Sequence, residues 1–296
     1  MLKHTKFAGL AAFLFSIGSA SAVAEPAMWT LADEDTTINI IGTVHYLPED
    51  VDWRTGRIGE AFDAADTVCF ELDAENRAAE TVAMMFNEGL FRDGEQLVDH
   101  LNNRQIKELR ETAHFLGIPF ASLNMMKPWF ASLTMDEYVV DRLDLGDGVE
   151  FTLYPEIAAT GKELCELETP QEQLGEWIGM SLRDQVEVLF LEYPGAEDLN
   201  PEEALEFGEQ QLAELIGEWV EGDVAALDEL INTEASLSEP FHNALLVSRN
   251  ENWIPRIEAL LEQEGNILIA VGAAHLAGDD SVIRMVRARG HKIDGP

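Results

Sequence analysis

The sequence predicts an α/β fold: a central mixed or mostly parallel sheet formed by both ends of the chain, with a long helical middle region. Three observations carry this. Short apolar runs rich in β-branched residues lie near the N-terminus, at residues 36–42 and 66–73, and again near the C-terminus, at residues 266–272. Between them, residues 75–117 and 201–262 show helical spacing with start and stop signals. No repeat, low-complexity tract or composition shift divides the chain, so a single domain over residues 25–296 is expected.

The elements follow in order. Lys3, His4 and Lys6 form a basic start, residues 7–17 are apolar but too few to span a bilayer, and Ala22-Val23-Ala24 or Ala20-Ser21-Ala22 fits a small-residue cleavage site. A signal peptide over residues 1–24 is therefore expected, with a soluble mature protein in a periplasm or secreted, and no later membrane span. Trp29 to Leu31 leads into the strand at 36–42, and residues 56–65 have helical spacing. The strand at 66–73 ends in acids. The helical run after it breaks near Gly94 and stops at Gly117, before Pro119. Residues 120–123 read as a short strand, and Pro128 opens a helix to about Arg142. A Gly/Asp turn spans residues 143–150, followed by a helix that stops at Gly161 and a strand at 163–167. Thr169, Pro170 and Glu172 have the spacing of a capping box, and Asn200, Pro201 and Glu203 repeat that start signal. The second helical run is interrupted near Gly222 and near Pro240. The strand at 266–272 then precedes a helix over about residues 280–289.

Charge excludes whole classes of partner. Acids number 56 against 19 bases, a net charge of -37, so nucleic acid and anionic membrane surfaces lack the Lys and Arg they need. Cys69 and Cys165 both sit in apolar strand-like runs, where buried free thiols are expected in preference to a bridge. The chain has no C-x-x-C, H-E-x-x-H, G-x-S-x-G, P-loop or G-x-G-x-x-G, which leaves zinc-ribbon, zincin, serine-hydrolase and nucleotide chemistry without a motif.

One constellation stands out. Gly42-Thr43-Val44-His45 and Gly272-Ala273-Ala274-His275 each place Gly-x-x-His at the end of an apolar strand. Ligands of open α/β sheets bind beyond the carboxyl ends of strands. Glu71 and Glu168 end two further strands. Two imidazoles and two carboxylates at four strand ends suit a divalent metal with open positions. Taken singly, each is more often a turn or capping residue.

The same motifs resemble the TraB/GumN/Tiki family: G-T-V-H at Gly42–His45, Glu71-Leu72-Asp73, Lys127-Pro128-Trp129, Leu167-Glu168-Thr169, Arg249-Asn250 with Trp253, and Val271-Gly272-Ala273-Ala274-His275. The resemblance runs over nearly the whole mature chain. It implies an erythromycin-esterase-like or ChaN-like fold and a metal-dependent, peptidase-like hydrolase, since animal Tiki members are proteases that need manganese or cobalt. By position it implies His45, Glu71 and His275 as metal ligands, with manganese, cobalt or zinc as the ion, and Arg249 facing the site. The family pattern has Asp where this chain has Glu150, one methylene longer; Glu150 inherits that ligand position. Glu168 or Glu71, whichever does not bind the ion, is expected to take the proton of water, and Arg249 to steady negative charge. The expected substrate is a peptide or small molecule. The competing reading is a non-catalytic binding protein for a peptide signal or haem, or an accessory factor of envelope or polysaccharide assembly.

Overall fold

Ile38, Ile40 and Ile41 in one segment, and Ile267 through Val271 in another, are buried on both faces. That is the pattern of parallel strands covered on each side by helices. A computed structural model of the chain describes residues 25–143, 145–191, 200–235 and 238–296; the expected signal peptide, residues 1–24, lies outside the described residues. In chain order the elements are β1 (Met28–Ala32), β2 (Thr36–Thr43), β3 (Tyr46–Leu47), α1 (Gly56–Ala64), β4 (Thr67–Phe70), α2 (Ala74–Gly89), α3 (Asn103–Leu116), α4 (Phe120–Leu123) and α5 (Pro128–Val140). They continue with β5 (Gly146–Asp147), α6 (Val149–Thr160), β6 (Glu163–Glu166), α7 (Pro170–Gly179), α8 (Leu182–Leu189), α9 (Pro201–Glu221), α10 (Val224–Ala235), α11 (Glu239–His242), α12 (Ser248–Leu260), β7 (Gly265–Gly272), α13 (Val282–Ala288) and β8 (Ile293–Asp294).

The main sheet has the order β6-β4-β7-β2-β1-β8. Strands β6, β4, β7 and β2 run parallel, and β1 is antiparallel to both β2 and β8. It is a mixed sheet, and both ends of the chain build it. One face packs Val68, Phe70 and Leu268 against Phe62 of α1, Leu153 of α6 and Trp219 of α9. The other packs Ile38, Ile40 and Ile269 against Trp253 and Ile257 of α12 and Val286 of α13. The helical middle has its own apolar cluster around Leu97, Leu109, Leu116 and Leu123.

The start and stop signals act as their chemistry requires. Thr169 and Asn200 each form the expected capping box, with Glu172 and Glu203. Gly117, Gly161 and Gly222 end α3, α6 and α9 in the left-handed conformation. No helix among the described residues is long and apolar enough to cross a membrane.

Three expectations are corrected. Residues 120–123 form the helix α4: they follow Pro119, no strand among the described residues pairs with them, and Leu123 turns into the middle cluster. The strand expected over 66–73 ends at Phe70, because Glu71 turns out of the sheet and the Asp73 side chain accepts from the Asn76 N–H to cap α2. Cys69 and Cys165, expected as free thiols, form a disulfide. They are register partners on the neighbouring parallel strands β4 and β6, with Cα atoms 4.4 Å apart.

Candidate functional site

The four parallel strands are adjacent, so their carboxyl ends share one edge. His45 lies two residues past β2, Glu71 one past β4, Glu168 two past β6, and His275 on a 3-10 turn, Ala273–Leu276, directly past β7. The glycines of the two Gly-x-x-His motifs allow close approach. A Cβ on Gly42 would stand 3.0 Å from Ala273, and one on Gly272 would stand 2.9 Å from Glu71 Oε1. Without it, the Gly272 N–H donates to Glu71 Oε1 at 2.6 Å.

Arg249 occupies the centre. It follows a π-turn over Asn243–Val247, and its side chain points inward from the start of α12. Its Nε donates to Glu168 Oε2 at 3.0 Å, and Nη2 to Glu168 Oε1 at 2.5 Å and Glu71 Oε2 at 2.6 Å. Nη1 donates to the Leu245 carbonyl at 3.0 Å. Trp253 Nε1 and Gln173 Nε2, both at 3.1 Å, complete the donors around Glu168, which is 1 % exposed.

The histidines stand in two His–Glu pairs. His275 is buried, with Nε2 3.6 Å from Glu71 Oε1 and Nδ1 2.6 Å from Asn250 Oδ1. Asn250 Nδ2 donates to the Asp280 carbonyl at 2.8 Å, and the Trp253 ring lies 4.3 Å from the imidazole, centroid to centroid. His45 Nδ1 lies 3.2 Å from Glu150 Oε1, which also accepts from the Thr43 hydroxyl. Glu150 Oε2 is buried and has no hydrogen-bond partner.

Environment pulls these groups apart. Burial pushes Glu71 up, but Arg249 foremost, with His45 and the Gly272 N–H, outweighs it and holds the carboxyl at about 2. Burial lowers the His275 imidazole to about 3, so it is neutral. The hydrogen bond to Glu150 raises His45 to about 9 against desolvation; the side chain is 60 % exposed, so solvent screens this pair. Burial raises Glu168 against its Arg249 and Trp253 donors. Burial also opposes the Arg249 charge, and Glu71 and Glu168 outweigh it, so Arg249 stays protonated.

The donor set suits a divalent cation in its chemistry: imidazole nitrogens, carboxylate oxygens and one buried carboxylate oxygen without a donor. If His45 loses its proton, three carboxylates face a single guanidinium, an imbalance of two charges that such an ion would neutralise. Among the described residues, however, no group of three or more His, Cys, Asp or Glu closes around a single point. His45, Glu71, His275, Glu150, Glu168 and Arg249 all belong to one neighbourhood, in which His45 is felt electrostatically by both Glu71 and His275. Thr43, Gln173, Asn250 and Trp253 were not foreseen as site residues. Arg249 and Trp253 are one helical turn apart, a spacing that places them on one face.

A sequence model of the TraB/PrgY/gumN family matches residues 27–294. Comparison with curated proteins and with solved structures finds no match. With the family match spanning nearly all of the described fold, and the site residues gathered at the strand ends, the chain belongs to the TraB/PrgY/gumN family.

Proposed function

We propose that this chain is an exported, metal-dependent hydrolase acting on peptide or related amide bonds. One observation carries the reading: two His–Glu pairs, His45–Glu150 and His275–Glu71, at one sheet edge around the buried Arg249. His45, Glu150 and His275 would hold the ion, with manganese, cobalt or zinc as candidates. A bound divalent ion supplies Lewis acidity toward a carbonyl and acidifies water.

The chain's own groups divide the remaining work. Glu168 accepts from Arg249, Trp253 and Gln173 with both oxygens, so it positions Arg249. Glu71, 11 % exposed against 1 % for Glu168 and facing His275, is the more accessible carboxylate and so takes the role of proton acceptor. Arg249 spends four of its five N–H groups on Glu168, Glu71 and Leu245; the remaining Nη1–H is the donor available to a developing oxyanion.

The test is peptide hydrolysis by the metal-free protein, with manganese, cobalt or zinc added back and then removed by chelation, alongside metal analysis. His45→Ala and His275→Ala should each lower metal content and hydrolysis. If both variants keep wild-type metal content and rate, the reading fails. A Soret band on haem addition, with no metal-dependent cleavage, would instead favour capture without turnover.

A further inference from the structure

Asn250 is 1 % exposed and follows Arg249 on α12. Its amide is oriented by its partners. A backbone carbonyl can only accept, so the 2.8 Å contact to the Asp280 oxygen identifies the Asn250 NH2 end. The oxygen end therefore faces His275 Nδ1, at 2.6 Å. An amide oxygen can only accept, so Nδ1 carries a hydrogen. In a neutral imidazole the other nitrogen is then bare. That nitrogen, Nε2, stands 3.6 Å from Glu71 Oε1.

We propose that Asn250 is a positioning residue that fixes His275 in its Nδ1–H tautomer and makes Nε2 an electron-pair donor at the strand edge. The alternative tautomer would let Nε2–H donate to Glu71 and close a His–Glu hydrogen bond with no ligating nitrogen left. Asn250 excludes it, because an Nδ1 lone pair would then face the amide oxygen. The Trp253 ring, 4.3 Å from the imidazole and tilted 38° to it, packs against that ring and limits its rotation. With Nε2 and Glu71 Oε1 both acceptors, the group that fits beside them is a cation or a proton donor. Partners of this kind on the non-ligating nitrogen are how proteins orient and tune histidine ligands. The inference deepens the metal-site reading and rests on it for its purpose, but its primary readout needs no metal.

The experiment is long-range 15N–1H correlation of histidine-labelled full chain, metal-free, at neutral pH, with His275 assigned by its loss in H275Q. The wild type should show the Nδ1–H pattern. N250A should lose it in favour of Nε2–H, and N250D, whose carboxylate still accepts from Nδ1, should retain it. Zinc titration should then show affinity about 10–100-fold weaker in N250A than in wild type or N250D. An Nε2–H pattern in the wild type overturns the proposal, as does an unchanged Nδ1–H pattern in folded N250A. Should N250A not fold, the wild-type and N250D spectra decide. An Nδ1–H signature without any zinc binding would sink the metal reading and leave the role of Asn250 standing.

Discussion

Arg249 and Glu168 meet edge to edge, with Nε–Oε2 at 3.0 Å and Nη2–Oε1 at 2.5 Å, both side chains buried. The same Nη2 also reaches Glu71 at 2.6 Å. One guanidinium therefore stabilises two carboxylates that burial disfavours, and it joins the ends of β4 and β6 to the start of α12.

Removing that guanidinium leaves two buried carboxylates without a countercharge. Arg249→Met should cost about 3–5 kcal/mol at neutral pH, the range for breaking a buried ion pair. Glu71 gives the pH dependence its sign. Its folded pKa of about 2 lies below the ordinary value of 4.5, so its contribution is fully present above pH 4.5 and is lost as pH falls toward 2. In the variant that contribution is missing where the carboxylate is ionised. The deficit against wild type should therefore be largest near pH 7 and shrink on acidification. Urea unfolding of both proteins at pH 7 and pH 3 reads this directly, since pH 3 lies between the two pKa values. An equal deficit at both pH values would contradict the assignment. Adding Glu168→Leu to the variant should recover part of the loss, because one of the two stranded charges is gone.

Glycine positions give a paired prediction. At Gly148 a Cβ would collide with the backbone of Val44 and His45, where the segment between β2 and β3 passes the N-terminus of α6. Gly148→Ala should destabilise by about 1–3 kcal/mol and shift both Glu150 and His45. Gly175, inside α7, has nothing within 4 Å of a Cβ. Gly175→Ala should instead stabilise by about 0.5–1 kcal/mol through helix propensity. Thermal unfolding of the two variants should move in opposite directions. A neutral Gly148→Ala would mean that the Val44–Gly148 approach is looser than described.

The site was legible where it lies along strands. His45, Glu71, Glu168 and His275 each follow an apolar run, and parallel pairing of those runs delivers all four to one edge. What could not be read is adjacency across the chain. Thr43 and Glu150 meet over a separation of 107 residues, with no local signal to link them. Asn250 has the appearance of a solvated helix residue until the packing of α12 against the turn after β7 buries it. Arg249 was singled out only by family resemblance, since helical spacing does not say which arginine turns inward. Strands β3, β5 and β8, of two residues each, are too short to show alternation.

The cysteines show the same limit and supply the last prediction. Apolar surroundings point to a buried thiol, and for Cys69 the burial is right: it is 0 % exposed. The pairing follows from the order of the sheet, which sets β4 beside β6 in a register that makes Cys69 and Cys165 direct neighbours, 96 residues apart in sequence. A bridge over so long a loop restricts the unfolded chain, with about 2–4 kcal/mol as the usual stabilisation. It also ties together the strands β4 and β6, which lead into Glu71 and Glu168. A reductant should thus lower the unfolding free energy of the wild type by about that amount and leave a C69A/C165A variant unaffected. The variant should unfold like the reduced wild type, because the covalent loop is missing in both. Thiol titration of the denatured, unreduced protein should detect no free thiol; two reactive thiols per chain would show that the strands pair without the bond.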